Sequence, residues 1–267
     1  MATARIDVHH HLLYGLDDGS ADLETSLKMA EIAIQDGITH VVCTPHANSE
    51  YTFSPQTNVE RRDELQRLLG DRLTLGLGCD FHLSYDNIQD ALAHPTRYTI
   101  NAKQYLLVEF PDFGIPQNIG SSFHEMRVAG IVPILTHPER NLTLMKQPEK
   151  MAEWLRLGCI VQVTAGSVLG RFGKGPQRIA QHLLDMQWVH LLATDAHNTT
   201  SRPPILSAAY DSVANHYGAE EADRLCCKNP RAIFYGEDLG EQPIPEKIYE
   251  DMEEPKKRGL FSLFGRR

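Results

Sequence analysis

Short β-branched runs alternate with amphipathic stretches along most of this chain, and glycines close several of those stretches. That rhythm limits the available folds more than any other feature. Residues 5–9 read as a strand and lead into the turn YGLDDGSAD. The spacing of Leu23, Leu27, Ala30 and Ile34 predicts a helix over 22–36, with Gly37 as its stop. A strand is expected at 39–43, bounded by Thr44-Pro45. The unit then recurs: helix 58–69 and strand 73–78, helix 87–93 and strand 105–110, helix 121–129 and strand 131–135, helix 149–157 and strand 160–163, helix 177–186 and strand 189–193. Helical crossovers imply a mostly parallel sheet covered by helices, because parallel strands need long connections. The expected architecture is therefore α/β, with seven units in a closed or nearly closed barrel.

Beyond Arg202-Pro-Pro the pattern turns helical to about residue 236. A length of 267 residues suits one large domain, expected over 1–243. Residues 244–267 change character and read as a charged, amphipathic tail. In it an acidic run (Glu250, Asp251, Glu253, Glu254) meets Lys256, Lys257 and Arg258, then Leu260, Phe261, Leu263 and Phe264.

Composition excludes several classes of function. A net charge of −9 argues against general nucleic-acid binding, which needs a basic surface. Five cysteines without CxxC spacing fit a reduced compartment better than a disulfide framework. MATARIDVHH lacks the apolar stretch of a secretory leader, and no apolar run approaches a spanning helix. A cytoplasmic, non-transmembrane protein is expected.

The chemically loaded residues fall where strands end. The first strand ends in His9-His10-His11, the second is followed by His46, and the third leads to Asp80. Glu109 stands near the end of the fourth, His137 ends the fifth, and Asp195-Ala196-His197 ends the seventh. In α/β barrels that edge holds the active site. Two residues apart on a strand, His9 and His11 share a face, which leaves His10 structural or exposed. Imidazoles together with carboxylates suit Zn²⁺, Mn²⁺ or Fe, and this many donors imply two or three ions. Arg140 and Arg202 lie in loops leaving ligand strands, where a planar guanidinium would grip a phosphoester.

The stretches IDVHHHLLYGLDDGS, GITHVVCTPHA, LGCDFHL, LLVEF, GIVPILTHPER, GCIVQVTAGSVLG and LLATDAHNTTSRPP follow one another over residues 6–204, and NPRAIF continues them at 229–234. In that order the chain resembles the polymerase-and-histidinol-phosphatase (PHP) superfamily. More closely, it is similar to the bacterial metal-dependent protein tyrosine phosphatases of capsule and exopolysaccharide loci (the CpsB/YwqE type). The resemblance implies a distorted seven-stranded (β/α)7 barrel of the PHP type with a trinuclear site. One ion would be held by His9, His11, Glu109 and Asp195. A second would share Glu109 and add Asp80 and His137. A third would use Asp18, His46 and His197, with Asp17 as the alternative to Asp18. Family members often carry Glu where this chain has Asp80. The implied metal is Mn²⁺, with Fe or Zn in related members. The implied substrate is a phosphotyrosine protein, a bacterial tyrosine autokinase governing polysaccharide export.

Metal-activated hydrolysis of a phosphotyrosine ester is thus the expected chemistry, with Arg140 and Arg202 on the phosphoryl oxygens. A cysteine-based route is excluded, since Cys226 reaches Arg231 only as C-x4-R and the remaining cysteines fit no better. Three other readings stay open at this point. They are a histidinol-phosphatase-like enzyme for a small metabolite, a metal-dependent amidohydrolase, and a metal-stabilised module that binds a phosphorylated partner without turnover.

Overall fold

The computed structural model describes residues 4–111 and 114–249. Nine short strands run through them: β1 (Arg5–His10), β2 (Ile38–Cys43), β3 (His46–Ala47), β4 (Thr74–Leu77), β5 (Asp80–His82), β6 (Tyr105–Glu109), β7 (Val132–Thr136), β8 (Ile160–Thr164) and β9 (Leu191–Ala193). Two of the seven expected strands are each divided. Pro45 has no N–H to donate and interrupts the second run between β2 and β3. Gly78 and Cys79 interrupt the third between β4 and β5. There the Gly78 N–H still continues the ladder with β2, reaching the Cys43 carbonyl at 2.9 Å.

All pairings between named strands are parallel. They form a three-stranded sheet, β1-β2-β4, and a six-stranded sheet, β3-β5-β6-β7-β8-β9. The divided strands pass from the first sheet to the second. At the other seam the first and last strands meet. The Asp195 N–H donates to the His9 carbonyl at 2.9 Å, and the His11 N–H donates to the Ala196 carbonyl at 2.9 Å.

Helices cover the outside: α1 (Leu23–Gln35), α2 (Pro55–Leu69), α3 (Tyr85–Ala93), α4 (Ile119–Val128), α5 (Met151–Arg156), α6 (Ala165–Val168), α7 (Lys174–Asp185), α8 (Ser207–Tyr217), α9 (Ala219–Asp223) and α10 (Asn229–Tyr235). Local chemistry sets their starts. Asp22 accepts the Thr25 N–H at 2.8 Å and caps α1. Ser54 caps α2 with Pro55 at its first position, so this helix begins three residues before the expected 58. The single-turn α6 has no counterpart among the expected elements.

Two apolar layers follow from the strand alternation. Inside, Ile6 and Val8 meet Val42, Leu107, Ile134, Ile160, Leu191 and Ala193, one or two from each of six strands. Ile233 and Phe234 of α10 close that plug. They do so at the strand-start end, where the Tyr105 hydroxyl donates to the Glu237 carbonyl at 2.7 Å. The opposite end is left for polar groups. Outside, the larger core lies between strands and helices and includes Phe123, Met126 and Trp154.

Residues 244–249 pack on this body. Ile248 is buried, and the Trp188 indole donates to the Glu246 carbonyl at 2.7 Å. The rest of the expected tail, 250–267, lies outside the described residues. Among the described residues no helix is long and apolar enough to cross a membrane.

Phe123 is fully buried with its ring against Phe110 and Trp154. Phe123→Ala should cost about 3–5 kcal/mol of stability through the cavity it leaves. Urea denaturation should show a lower midpoint with an unchanged slope.

Candidate metal centre

The open end of the sheets gathers all nine expected ligands. β1 delivers His9 and carries the chain into His11, and the following turn carries Asp18. β3 opens with His46 and β5 with Asp80, directly opposite each other in the ladder. β6 ends in Glu109, His137 directly follows β7, and Asp195 follows β9 after Thr194. His137 and Asp195 hold φ angles of 34° and 51°. Such left-handed conformations are uncommon outside glycine and cluster at functional sites. His10 points away as expected. It is structural, its ring fully buried and neither ring nitrogen hydrogen-bonded.

Three mutually close donor groups result: His11, Asp18, His46 and His197; His9, His11 and Asp80; and His46, Asp80 and Glu109. His9 Nε2 stands 3.3 Å from Asp80 Oδ2 and 3.4 Å from Asp195 Oδ1. His46 Nδ1 is 3.3 Å from Asp80, and His46 Nε2 is 3.3 Å from Asp18. His197 Nε2 lies 3.4 Å from Asp18, and His137 Nε2 lies 3.5 Å from Glu109. The partition differs from the one the resemblance implies, because Asp80 stands beside both His9 and His46. Asp17 and Asp18 separate cleanly. Asp17 is spent on the His11 ring at 2.8 Å and on the N–H groups of Gly19 and His46, whereas Asp18 faces two imidazoles. The turn requires glycine at 19, since a Cβ there would lie 2.4 Å from the His11 Cβ.

Several observations fit this donor set to divalent ions. Ions bonded at about 2.1 Å place tetrahedral neighbours about 3.4 Å apart, the range seen here. Three imidazoles turn Nε2 inward because Nδ1 is engaged: His9 on Gln162 Oε1 at 2.9 Å, His11 on Asp17, and His197 on the Asp195 carbonyl at 2.9 Å. Metal-ligating histidines are usually held this way. Asp80 is fully buried, and neither of its oxygens has a hydrogen-bond partner. A buried carboxylate in that state calls for a cation.

The electrostatics agree. Burial disfavours the His9 imidazolium, yet Asp80 and Asp195 pull it up to about 9. His46 is likewise raised against its burial, to about 10, by Asp18, Asp80 and Glu109. Burial and the Asp80 charge push Glu109 up to about 8. Burial and Arg140 hold His137 well below the usual histidine range.

Both expected arginines are present, but their partner is a protein carboxylate. Arg202 Nη2 reaches Asp195 Oδ2 at 2.5 Å, and Arg140 Nη1 pairs with the same oxygen. Asp195 thus turns Oδ1 to the histidines and Oδ2 to the guanidiniums.

Sequence reasoning missed the groups that hold the ligands. Gln162 lies in an apolar strand, and Asp7 accepts the Thr194 N–H at 2.9 Å to tie β1 to the chain end carrying Asp195. Glu139, fully buried, accepts the Thr164 N–H at 3.0 Å and the Ser167 hydroxyl at 2.7 Å. A polar residue inside an apolar strand run is the one available signal, and only Gln162 and Asp7 carry it. His82 lines a cavity beside Glu109.

A parallel α/β scaffold with a polynuclear donor set at its strand ends is the class this geometry defines. Over residues 5–235 the chain matches the model of the capsular polysaccharide synthesis family CpsB/CapC, and it belongs to that family. It is 29% identical over 263 residues to the tyrosine-protein phosphatase YwqE of Bacillus subtilis, covering 97% of this chain and 100% of that one. It is 28% identical over 238 residues to the tyrosine-protein phosphatase CpsB of Streptococcus pneumoniae, covering 86% and 98%. A crystal structure from work on those two proteins, described as unique metal-dependent tyrosine phosphatases, superposes with a TM-score of 0.84 at 28% identity, covering 91% of this chain and 99% of that one.

Two outcomes are expected of the isolated centre. Gln162→Leu releases the His9 ring and should weaken metal affinity about 10–100-fold, as read by competition with a chromogenic chelator. In the metal-free protein His9 and His46 carry protons at pH 7.5, since their pKa values are raised to about 9 and 10. Ligation needs them neutral, so loading with Mn²⁺ should release protons, and affinity should rise from pH 6 to pH 9. Calorimetry in two buffers of different ionisation enthalpy measures the release; zero release would remove both imidazoles from the ligand set.

Proposed function

We propose that this chain is a metal-dependent phosphomonoester hydrolase that removes phosphate from protein tyrosine. The observation that carries the reading is the convergence of His9, His11, Asp18, His46, Asp80, Glu109, His137, Asp195 and His197 at one sheet edge, with Arg140 and Arg202 adjoining. These nine side chains would hold two or three divalent ions, Mn²⁺ in the native enzyme. We take the two sheets as one distorted seven-unit (β/α) barrel of the PHP type, formed by residues 1–243, with 244–267 appended to it. The substrate assigned is a bacterial tyrosine autokinase in the cytoplasm that controls polysaccharide export.

When bound, the ions supply a nucleophilic water near neutral pH and neutralise phosphoryl charge. The chain's own residues do the rest. Gln162, Asp17 and the Asp195 carbonyl fix the imidazoles. Asp195 holds Arg140 and Arg202 at the edge of the centre, and each guanidinium keeps further N–H groups for the phosphoryl oxygens. A cavity of about 300 Å³ opens over Asp18, His46 and Glu109. Tyr51, stacked on His46 at 5.9 Å, and Phe110 line it and offer an aromatic wall to the substrate ring. That wall favours an aryl phosphate over an aliphatic metabolite. A phenolate leaves readily, since its conjugate acid has a pKa of about 10.

Thiolate chemistry is excluded on structural grounds as well. All five cysteines are buried, and burial pushes the thiols of Cys43 and Cys159 up to about 12. A carbamylated-lysine centre is also disfavoured, because Lys103 lies at the start of β6 and packs against Gly236, at the other end from Glu109.

Phosphate release from a phosphotyrosine peptide and from histidinol phosphate should be measured side by side, with Mn²⁺ and with a chelator. Chelator-sensitive release that favours the peptide is expected; preference for histidinol phosphate would move the enzyme to small metabolites. Arg140→Ala and Arg202→Ala should each lower kcat/KM about ten- to a hundredfold, the effect of losing one or two charge-assisted hydrogen bonds. Unchanged kinetics would reduce both arginines to partners of Asp195.

A further inference from the structure

The loop joining α6 to α7 supplies none of the nine donors, yet it sets a large ring against one residue of the site. The Arg140 guanidinium carbon lies over the Phe172 ring, 4.7 Å from its centroid. The loop is built to keep the ring there. Gly170 and Gly173 hold φ angles of 75° and 91°, which turn the chain on either side of Phe172. The Arg171 N–H donates to the Gly166 carbonyl at 2.8 Å, and the Gly173 N–H to the Gly170 carbonyl at 3.0 Å. Gly166 leaves room for the ring, since a Cβ there would lie 2.8 Å from Phe172 Cε2. The base of the loop is tied to the arginine's own turn. Buried Glu139, next to Arg140 in the chain, accepts the Thr164 N–H and the Ser167 hydroxyl. Contacts therefore run in a circuit from residue 139 through α6 and the loop back to residue 140.

Arg140 needs such a brace. It shares Asp195 Oδ2 with Arg202, so two positive charges converge on one oxygen and repel each other. Its side chain is 27% exposed, which leaves an unbraced guanidinium room to swing toward water. A polar brace would consume guanidinium N–H groups. An aromatic face attracts the cation without using any of them, so all those not held by Asp195 stay available to phosphoryl oxygens.

We propose that Phe172 is a positioning residue for phosphate ester hydrolysis: its ring holds the Arg140 guanidinium against Asp195 with the remaining N–H groups turned to the phosphoryl group. The inference rests on the phosphatase reading of the site. It gives Phe172 no contact with substrate and no part in metal binding; the ring acts through Arg140 alone.

The test is a double-mutant cycle on hydrolysis of a phosphotyrosine peptide by the Mn²⁺-loaded protein. Phe172→Leu, which keeps apolar bulk and removes the aromatic face, should lower kcat/KM three- to tenfold, and Phe172→Tyr, which keeps the face, should restore it. Gly166→Ala, which displaces the ring, should reproduce the loss. In an Arg140→Ala background, Phe172→Leu should change kcat/KM less than twofold. An equal loss with and without Arg140, or full activity in Phe172→Leu, would overturn the proposal. So would a tenfold loss of Mn²⁺ affinity in Phe172→Leu, read by chelator competition, since the ring would then support the donors instead. A second readout needs no turnover. The arginine Nε–H proton resonance that Arg140→Ala removes should move downfield in Phe172→Leu as the ring current is lost, and an unmoved resonance would overturn the contact. A parent protein without chelator-sensitive hydrolysis would count against the phosphatase reading, and the resonance would still report on the brace.

Discussion

Everything at the polar end of this protein turns on the two faces of one carboxylate. Asp195 sits at a left-handed φ of 51°, fully enclosed, with one oxygen toward His9, His11 and His197 and the other toward Arg140 and Arg202. Burial alone would raise its pKa, but His9, Arg202 and Arg140 hold it well below the usual range. A buried charge survives only when paired. The residues that pair with Asp195 are therefore the ones that fix where donors and guanidiniums stand relative to each other.

The backbone reaches that arrangement through two seams. At one, β1 and the end of β9 exchange hydrogen bonds, so the HxH of the first strand meets the DxH of the last although 184 residues separate His11 from Asp195. At the other, Pro45 and the Gly78–Cys79 break shift β3 and β5 into the six-stranded sheet and set His46 opposite Asp80. The interior apolar plug beneath, closed by Ile233 and Phe234, leaves polar side chains only one end to occupy.

Much of this was legible in the residues. Strand–helix alternation, glycine stops and the clustering of His and carboxylate at strand ends led to the parallel α/β class and to eight of the nine expected donors, while Asp18 came only from the family resemblance. Strand division was not, because Thr44-Pro45 read as the end of a strand when it is a step between two. The α2 start was missed although Ser54-Pro55 is a strong capping signal. Asp17 and Asp18 could not be told apart in sequence, since adjacent turn residues point in directions that only the turn sets; Gly19, tight against His11, sets them here. The arginines were expected beside the donor cluster, but their shared partner Asp195 depends on loops far apart in the chain.

By itself, then, the sequence determined the periodicity of the elements, the kind of chemistry its donors can support and the exclusion of a thiolate nucleophile. These follow from side-chain type and spacing, which are local. Tertiary structure alone decided which imidazole nitrogen faces inward, which aspartate joins which histidines, and that Gln162 and Asp7 brace the centre. Those outcomes rest on distances of about 3 Å between residues far apart in sequence, and only the packed fold sets such distances.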